Sequence, residues 1–264
     1  MIVDGKKIAE EIMENLKKRE KPKRFLAAFL VGEDPASLKF IHQKKKIARE
    51  LNIDFRVYAF PENIKQDGLR KKIVKVGKHK TCGGMIVQLP LPDHINRHYV
   101  LNAIPREKDL DVLGERALGA FYTNRNSISP PSVEVVKEIM KRKELDLKKN
   151  VITVLGLGFL IGKPIAAWLS GQCPNLILLD KGGDMGLLKK ADIVICGTGS
   201  PRIIQSRVLK EKAFVIDFGY SLEKGNIVGD FDPENSEVDY TPTPGGTGPV
   251  LVAKLFENFF ILNG

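Results

Sequence analysis

A phenylalanine and a lysine four residues apart give the first indication of chemistry in this chain. Phe40 and Lys44 lie in a segment with helical periodicity, and residues with this spacing share one face of a helix. The ring can stack a flat ligand while the amine transfers a proton or holds an anion. On spacing alone, a core phenylalanine beside a surface lysine is the more ordinary interpretation, so the rest of the chain has to decide.

The sequence around this pair predicts a strand, a tight loop and a helix. The apolar run Phe25–Val31, bounded by charged residues and Gly32, is typical of a buried strand. Asp34 suits a helix N-cap and Pro35 the first helical position, so we expect a helix over residues 34–51.

Strands and helices alternate along the whole chain, which predicts α/β folding with parallel sheets. The predicted strands are residues 25–31, 53–60, 83–89, 150–155, 175–179, 192–196 and 213–217. The predicted helices are residues 6–19, 34–51, 66–76, 133–143, 165–169 and 250–262.

Two polar residues of the first half are candidates for a ligand site. Gln88 follows a predicted strand, where open α/β sheets bind their ligands, although it also suits a turn cap. Pro90 and Pro92 predict a stiff turn there that can contain a cis peptide bond. Asp111 could accept paired N–H groups of a heterocycle, but alone it is more typical of a turn aspartate.

The second half contains a strand, a glycine-rich turn and a helix, the context of a dinucleotide site. Gly156, Gly158 and Gly162 have the spacing GxGxxxG, with the helix N-terminus available for a pyrophosphate. Asp180 ends the next strand, where a carboxylate binds the ribose of NAD and repels a 2′-phosphate. Gly199 follows a further strand and suits a flat cofactor at the sheet edge.

Composition gives broader expectations. A net charge of +10 fits attraction for small polyanions or a solvated basic surface, and we find no aromatic-basic pattern typical of nucleic-acid binding. Three scattered cysteines fit a reducing, cytoplasmic location. We see no signal peptide and no apolar stretch of membrane-spanning length, and we predict no metal site. The loop 240–249 suits either a ligand-closing segment or a plain linker.

Taken together, these stretches resemble the methylenetetrahydrofolate dehydrogenase/cyclohydrolase family, known in bacteria as FolD. The resemblance covers essentially the whole chain. It is carried by VGEDPAS at 31–37, the aromatic-xxx-Lys pair at 40 and 44, VQLPLP at 87–92, KDLD at 108–111, the glycine turn at 156–164 and TPTPGGTGP at 241–249.

The resemblance implies a fold and an activity. It implies two α/β lobes across a cleft, the second a Rossmann-like NAD(P) domain, and a homodimer formed through the Rossmann domains. We place a folate-binding catalytic domain at 1–117 with a returning helix at 248–264, and the nucleotide domain at 118–247. The implied reaction oxidises 5,10-methylenetetrahydrofolate with NAD(P) and hydrolyses the methenyl product to 10-formyltetrahydrofolate.

The resemblance also assigns roles to residues. It implies that Lys44 is the catalytic lysine of the cyclohydrolase step, that Gln88 helps to set its protonation and that Asp111 binds the pterin edge. Phe40 would stack on the folate rings. A closing segment, Pro244, Gly245 and Gly246, would cover substrate and cofactor.

Four features of the sequence depart from the family pattern. Phe40 replaces the usual tyrosine, which removes a hydroxyl from the hydrolytic step. Val112 replaces a glycine after Asp111, so we expect the backbone there to differ. The usual Arg and Ser of the nucleotide turn are absent, which with Asp180 predicts NAD over NADP. Leu251 replaces a threonine.

Three other interpretations stay open at the level of sequence. Phe40 favours a monofunctional NAD-dependent methylenetetrahydrofolate dehydrogenase, whereas Lys44 argues against one. The departures also permit a folate- or nucleotide-binding protein without catalysis. A nucleic-acid-binding role would depend on net charge alone.

Overall fold

The chain forms two compact units in a computed structural model that describes residues 2–234 and 237–264. The first unit comprises residues 12–131 and 253–264, and the second comprises residues 2–11 and 132–252. The main division therefore falls at 131/132, whereas we placed a domain boundary at 117/118. Val112, Ala117 and Ile128 pack into one buried cluster, which keeps the intervening segment with the first unit.

The part of the chain up to residue 130 supplies most of the first unit. A short 3₁₀ turn at Arg106–Lys108 follows the fourth helix. The regular elements are α1 (Gly5–Lys17), β1 (Phe25–Val31), α2 (Pro35–Glu50), β2 (Phe55–Phe60), α3 (Gln66–Gly77), β3 (Cys82–Val87), α4 (Arg97–Leu101) and α5 (Glu115–Tyr122).

The remaining residues supply most of the second unit and the last helix. Their elements are α6 (Pro131–Arg142), β4 (Val151–Leu155), α7 (Gly162–Leu169), β5 (Asn175–Leu179), β6 (Ile193–Cys196), β7 (Ile204–Gln205), β8 (Phe214–Asp217), β9 (Ser221–Glu223), β10 (Asn226–Val228), β11 (Phe231–Asp232), β12 (Asp239–Tyr240) and α8 (Thr247–Asn263). Short 3₁₀ turns lie at Met185–Lys190 and Ser206–Val208.

The first unit is built on a parallel three-stranded sheet in the order β2-β1-β3. Every residue of the central strand β1 is buried, as expected for a strand covered on both faces. The backbone N–H of Gln88 donates to the carbonyl of Phe29 at 2.9 Å. This bond continues the pairing past the end of β3 and fixes Gln88 beside the carboxyl end of β1.

The second unit contains a parallel five-stranded sheet in the order β12-β8-β6-β4-β5. From β4 the chain first moves outward to β5 and then returns to place β6 on the opposite side. Strand order therefore reverses between β4 and β6. The crevice beyond the carboxyl ends of two such strands is where doubly wound sheets bind ligands.

The predicted parallel α/β folding is confirmed, and β1 and β5 have the predicted bounds. The sequence interpretation missed α4, α5 and the antiparallel hairpin β9–β10, which are short and weakly periodic. No helix of the described residues combines the length and apolar character needed to cross a membrane.

Candidate active site and nucleotide site

Helix α2 begins as the sequence predicted and fixes the face that carries Phe40 and Lys44. Asp34 is the N-cap, and its carboxylate accepts from the backbone N–H of Ser37 at 2.8 Å. Pro35 follows at the start of the helix, where its missing N–H costs nothing. Both Phe40 and Lys44 are half-buried, so this face is turned toward the protein while remaining accessible.

The Lys44 ammonium is held by Gln88, which directly follows β3 at the carboxyl end of the first sheet. Lys44 Nζ donates to Gln88 Oε1 at 2.8 Å. Gln88 Nε2 donates in turn to the carbonyl of Leu89 at 2.7 Å, just before the cis peptide bond to Pro90. Because the amide nitrogen is already engaged, the amide oxygen faces the lysine, and Gln88 can act only as an acceptor toward it.

Burial sets the electrostatics of Lys44. It lowers the pKa of the ammonium group, and the nearby charge of Asp111 opposes that shift only in part. Burial likewise raises the pKa of Asp111, and Lys44 partly counteracts it. Both side chains keep some exposed surface, so the amine is desolvated yet reachable. A lysine of depressed pKa is the type that transfers protons near neutral pH.

The backbone around Asp111 is held by its neighbour Asp109. Asp109 Oδ2 accepts from the N–H groups of Leu113 at 3.0 Å and Gly114 at 2.7 Å. Val112, the residue in place of the family's glycine, is fully buried with φ of 55°. This left-handed conformation is costly for a branched residue. The aspartate bonds and burial of Val112 therefore maintain an unfavourable turn directly beside Asp111.

The glycine-rich turn of the second unit needs its glycines for two different reasons. Gly156 has φ of 86°, and its N–H donates to the carbonyl of Leu179 at 2.8 Å. A β-carbon on Gly162 would overlap the carbonyl group of Gly156, so α7 starts against the turn itself. Gly158, by contrast, has open space where a side chain would be, its nearest neighbour being 4.0 Å away.

Asp180 lies where the sequence interpretation placed it, directly after β5. Its carboxylate is exposed and accepts from the N–H of Leu157, within the glycine turn, at 3.5 Å. The turn, the start of α7 and this carboxylate are thus brought together at one edge of the sheet. They form the arrangement expected of a dinucleotide site.

Gly199 lies in a loop that a buried acidic group supports. The loop N–H of Thr198 donates to Asp230 Oδ2, and Gly199 has φ of 68° with open space around it. Asp230 lies beside Asp217. Burial, and to a lesser degree the nearby charge of Asp230, raise the pKa of Asp217 to about 6. Asp217 also accepts from the thiol of Cys196 at 3.4 Å. Backbone N–H groups at 2.6 and 3.0 Å occupy both oxygens of Asp217.

The segment Pro244–Gly246 leads into α8 within the second unit. Gly245 has φ of 103°, and the N–H of Gly246 donates to the carbonyl of Pro242 at 2.7 Å. Pro244 is exposed whereas Gly246 is buried. Its role in closing over ligands remains a prediction.

Comparison with known proteins now gives these two sites a context. Residues 3–111 match the family described as "Tetrahydrofolate dehydrogenase/cyclohydrolase, catalytic domain", and residues 130–263 match its "NAD(P)-binding domain". The chain belongs to the tetrahydrofolate dehydrogenase/cyclohydrolase family. The first match contains Lys44, Gln88 and Asp111, and the second contains the glycine turn and Asp180.

Individual members of the tetrahydrofolate dehydrogenase/cyclohydrolase family agree over nearly the full length. The bifunctional protein FolD of Nautilia profundicola is 35% identical, covering 97% of this chain and 95% of its own. The crystal structure of the FolD methylenetetrahydrofolate dehydrogenase/cyclohydrolase of Campylobacter jejuni is 32% identical, with a TM-score of 0.92 and coverage of 98% and 96%. The NAD-dependent 5,10-methylenetetrahydrofolate dehydrogenase of Saccharomyces cerevisiae, at 19% identity and a TM-score of 0.79 over 99% and 96%, shares the fold.

Three supporting residues escaped the sequence interpretation. Ser37 is buried on the same face of α2 as Phe40 and Lys44, and its hydroxyl has no hydrogen-bond partner among the described residues. Ser37 lies three residues before Phe40 and seven before Lys44, and this helical spacing could have indicated that it shares their face. Asp109 and Asp230 gave no such signal, because their acceptor roles depend on backbone groups that the fold brings to them.

Proposed function

We propose that this protein oxidises 5,10-methylenetetrahydrofolate with NAD(P)⁺ and hydrolyses the resulting 5,10-methenyltetrahydrofolate to 10-formyltetrahydrofolate. The observation that carries the hydrolytic half is the Lys44–Gln88 pair, a desolvated amine held at 2.8 Å by an acceptor of fixed orientation. Membership of the family supports both halves.

The proposed roles follow from the chemistry of each side chain. The amine of Lys44 takes up and releases the protons that addition of water to the methenyl carbon requires. Gln88 keeps this amine in position, and the carboxylate of Asp111 accepts N–H groups at the edge of the pterin. The ring of Phe40 provides a stacking surface. Pro244, Gly245 and Gly246 close over the bound ligands.

The glycine turn supports a bound dinucleotide, whose nicotinamide supplies the acceptor for the hydride. Gly156 and Gly162 let the turn pack tightly, while the open space at Gly158 and Gly199 lets a ligand approach the backbone. The part of these glycines in hydride transfer is to bind and orient the cofactor.

Two assays on the purified protein test the proposal. Reduction of NAD⁺ or NADP⁺ by 5,10-methylenetetrahydrofolate is followed at the absorbance of reduced nicotinamide, and hydrolysis of the methenyl compound is followed separately. We expect turnover in both. Turnover in the first assay alone would instead establish the monofunctional dehydrogenase that Phe40, with its missing hydroxyl, favours. Folate binding without turnover in either would contradict an enzymatic role.

The cofactor preference is proposed to be NAD, on the exposed carboxylate of Asp180. A 2′-phosphate beside this carboxylate would be repelled by at least about 1 kcal/mol. We therefore expect Asp180→Asn to raise kcat/KM for NADP⁺ about fivefold or more relative to NAD⁺. Steady-state rates with each cofactor measure this ratio.

A charge-matched control separates local repulsion from net charge. Glu211 is exposed and precedes β8, so it lies at the opposite end of the parallel sheet from Asp180. We expect Glu211→Gln to leave the cofactor ratio unchanged. A strong preference of the unmodified protein for NADP⁺ would contradict the proposed role of Asp180. It would not affect the rest of the proposed function.

A homodimer through the second unit is also proposed. The two-stranded hairpin β9–β10 has unpaired outer edges within its own sheet, and Leu222 at its centre is 69% exposed. An apolar side chain on such a ribbon suits pairing with a second copy. We expect a dimeric mass by light scattering, and a shift toward monomer in Leu222→Lys. Leu38→Lys, a matched change at an exposed leucine of the first unit, should keep the unmodified mass.

We also propose that the protein does not bind nucleic acid. The basic residues attract small polyanions rather than a nucleic-acid backbone. Retardation of DNA or RNA at low salt would contradict this proposal.

A further inference from the structure

Three arginines from separate elements line one cavity of the first unit. Arg70 comes from α3, Arg106 from the 3₁₀ turn and Arg116 from the first turn of α5. The cavity has a volume of about 190 Å³, well above the space that one water molecule requires. A single phosphate or carboxylate group is smaller than this.

Two of the three guanidinium groups are held in place by neutral acceptors. Arg70 donates to the carbonyl of Tyr99 and lies over the tyrosine ring, 4.4 Å from its centroid. Arg106 donates to Asn126 Oδ1 at 3.1 Å and to a backbone carbonyl. A guanidinium has five N–H donors, so each of these groups keeps donors in reserve. Both are therefore orientated before any ligand binds.

The arginines lack a counter-ion within the part of the chain that the structure describes. No carboxylate there lies within ion-pair distance of Arg70, Arg106 or Arg116, although the cavity wall includes Asp109 and Glu115. Asp109 directs Oδ2 to backbone N–H groups, and burial raises its pKa to about 7. Much of its negative charge is thus absent at neutral pH, and the cavity keeps a positive balance.

We propose that this cavity is a binding site for a compact oxyanion, held by Arg70, Arg106 and Arg116. The planar guanidinium fork matches the geometry of both phosphate and carboxylate groups, which is the chemistry that the two ligand classes share. Three arginines in the wall of one cavity, none of them in an ion pair within the described part of the chain, outnumber its two carboxyl groups and leave a positive charge that an oxyanion would neutralise. None of the proposed catalytic residues lines the cavity, although Asp109, which supports the turn beside Asp111, does.

Titration calorimetry of the full chain tests the site with inorganic phosphate and, separately, with succinate at constant ionic strength. We expect saturable binding of at least one probe, and the stronger binder distinguishes a phosphoryl-type ligand from a carboxylate-type ligand. Arg116→Gln should weaken this binding about 10-fold or more, since it removes charge-assisted hydrogen bonds. Arg116 is exposed, so the variant should fold normally.

A matched variant guards against general charge effects. Arg49 is exposed in the last turn of α2 and does not line the cavity, so Arg49→Gln makes the same charge change elsewhere. We expect it to bind the probe like the unmodified protein. Absence of binding by both probes would overturn the proposal. Equal affinity of Arg116→Gln and Arg106→Lys with the unmodified protein would also overturn it, because binding would then lie elsewhere.

Discussion

Hydrolysis of 5,10-methenyltetrahydrofolate is expected to fall about 10²- to 10⁴-fold in Lys44→Gln, the usual range for loss of a general acid or base. Glutamine retains a polar side chain, somewhat shorter than that of lysine, but cannot exchange a proton near neutral pH. Hydride transfer depends mainly on positioning, so the dehydrogenase rate should fall far less. Decay of the methenyl absorbance and formation of reduced nicotinamide, measured on the same preparation, give the two rates.

Lys45 provides the matched control for this variant. It is the next residue of α2 and is exposed, so Lys45→Gln makes the same change on a different face of the same helix. Hydrolysis should stay within about twofold of the unmodified rate, as is usual for a surface substitution. Equal losses in the two variants, or undiminished hydrolysis in Lys44→Gln, would show that Lys44 is not the proton-transfer group.

The pH profile gives a readout that a purely structural lysine would not change. Burial lowers the pKa of Lys44, so the neutral amine persists to lower pH than in a free lysine. If the neutral amine is the active form, hydrolysis declines as pH falls through this lowered pKa. The charge of Asp111 raises the pKa of Lys44, so Asp111→Asn should move this decline to still lower pH.

The parts of the fold that could be predicted from the sequence are those that depend on short, local residue patterns. Continuous apolar runs produced β1 and β5 with their predicted bounds, although only β1 is buried along its whole length and β5 is a partly exposed edge strand. The capping sequence at Asp34 and Pro35 likewise predicted the start of α2. By contrast, α4 has five residues and α5 eight, too few for a clear helical period.

The candidate site was predictable in its residue types but not in its supports. Phe40 and Lys44 were paired by helical spacing, whereas the contact of Lys44 with Gln88 joins residues 44 positions apart. The periodicity of apolar residues along the sequence does not reveal a contact between residues so far apart in the chain. The left-handed conformation of Val112 was also beyond sequence reasoning, since a branched residue disfavours it and only the surrounding bonds of Asp109 and burial maintain it.

The second large effect is expected at Gly162. Its β-carbon position is occupied by the carbonyl group of Gly156, which is backbone and cannot move aside cheaply. We expect Gly162→Ala to destabilise the protein by about 3 kcal/mol, the upper range for inserting atoms into a packed site. The melting temperature should fall by about 6 °C for a chain of this size. Differential scanning calorimetry without ligand measures this loss apart from any effect on cofactor binding.

Gly158→Ala is the control that distinguishes a packing glycine from a ligand-facing one. The methyl group would have its nearest neighbour 4.0 Å away, so the melting temperature should hardly change. It would instead occupy the space through which a pyrophosphate approaches the backbone, and KM for the nicotinamide cofactor should rise about 10-fold, equivalent to about 1.4 kcal/mol. Equal destabilisation by the two variants would contradict the division of roles, because both glycines would then serve only to pack the turn.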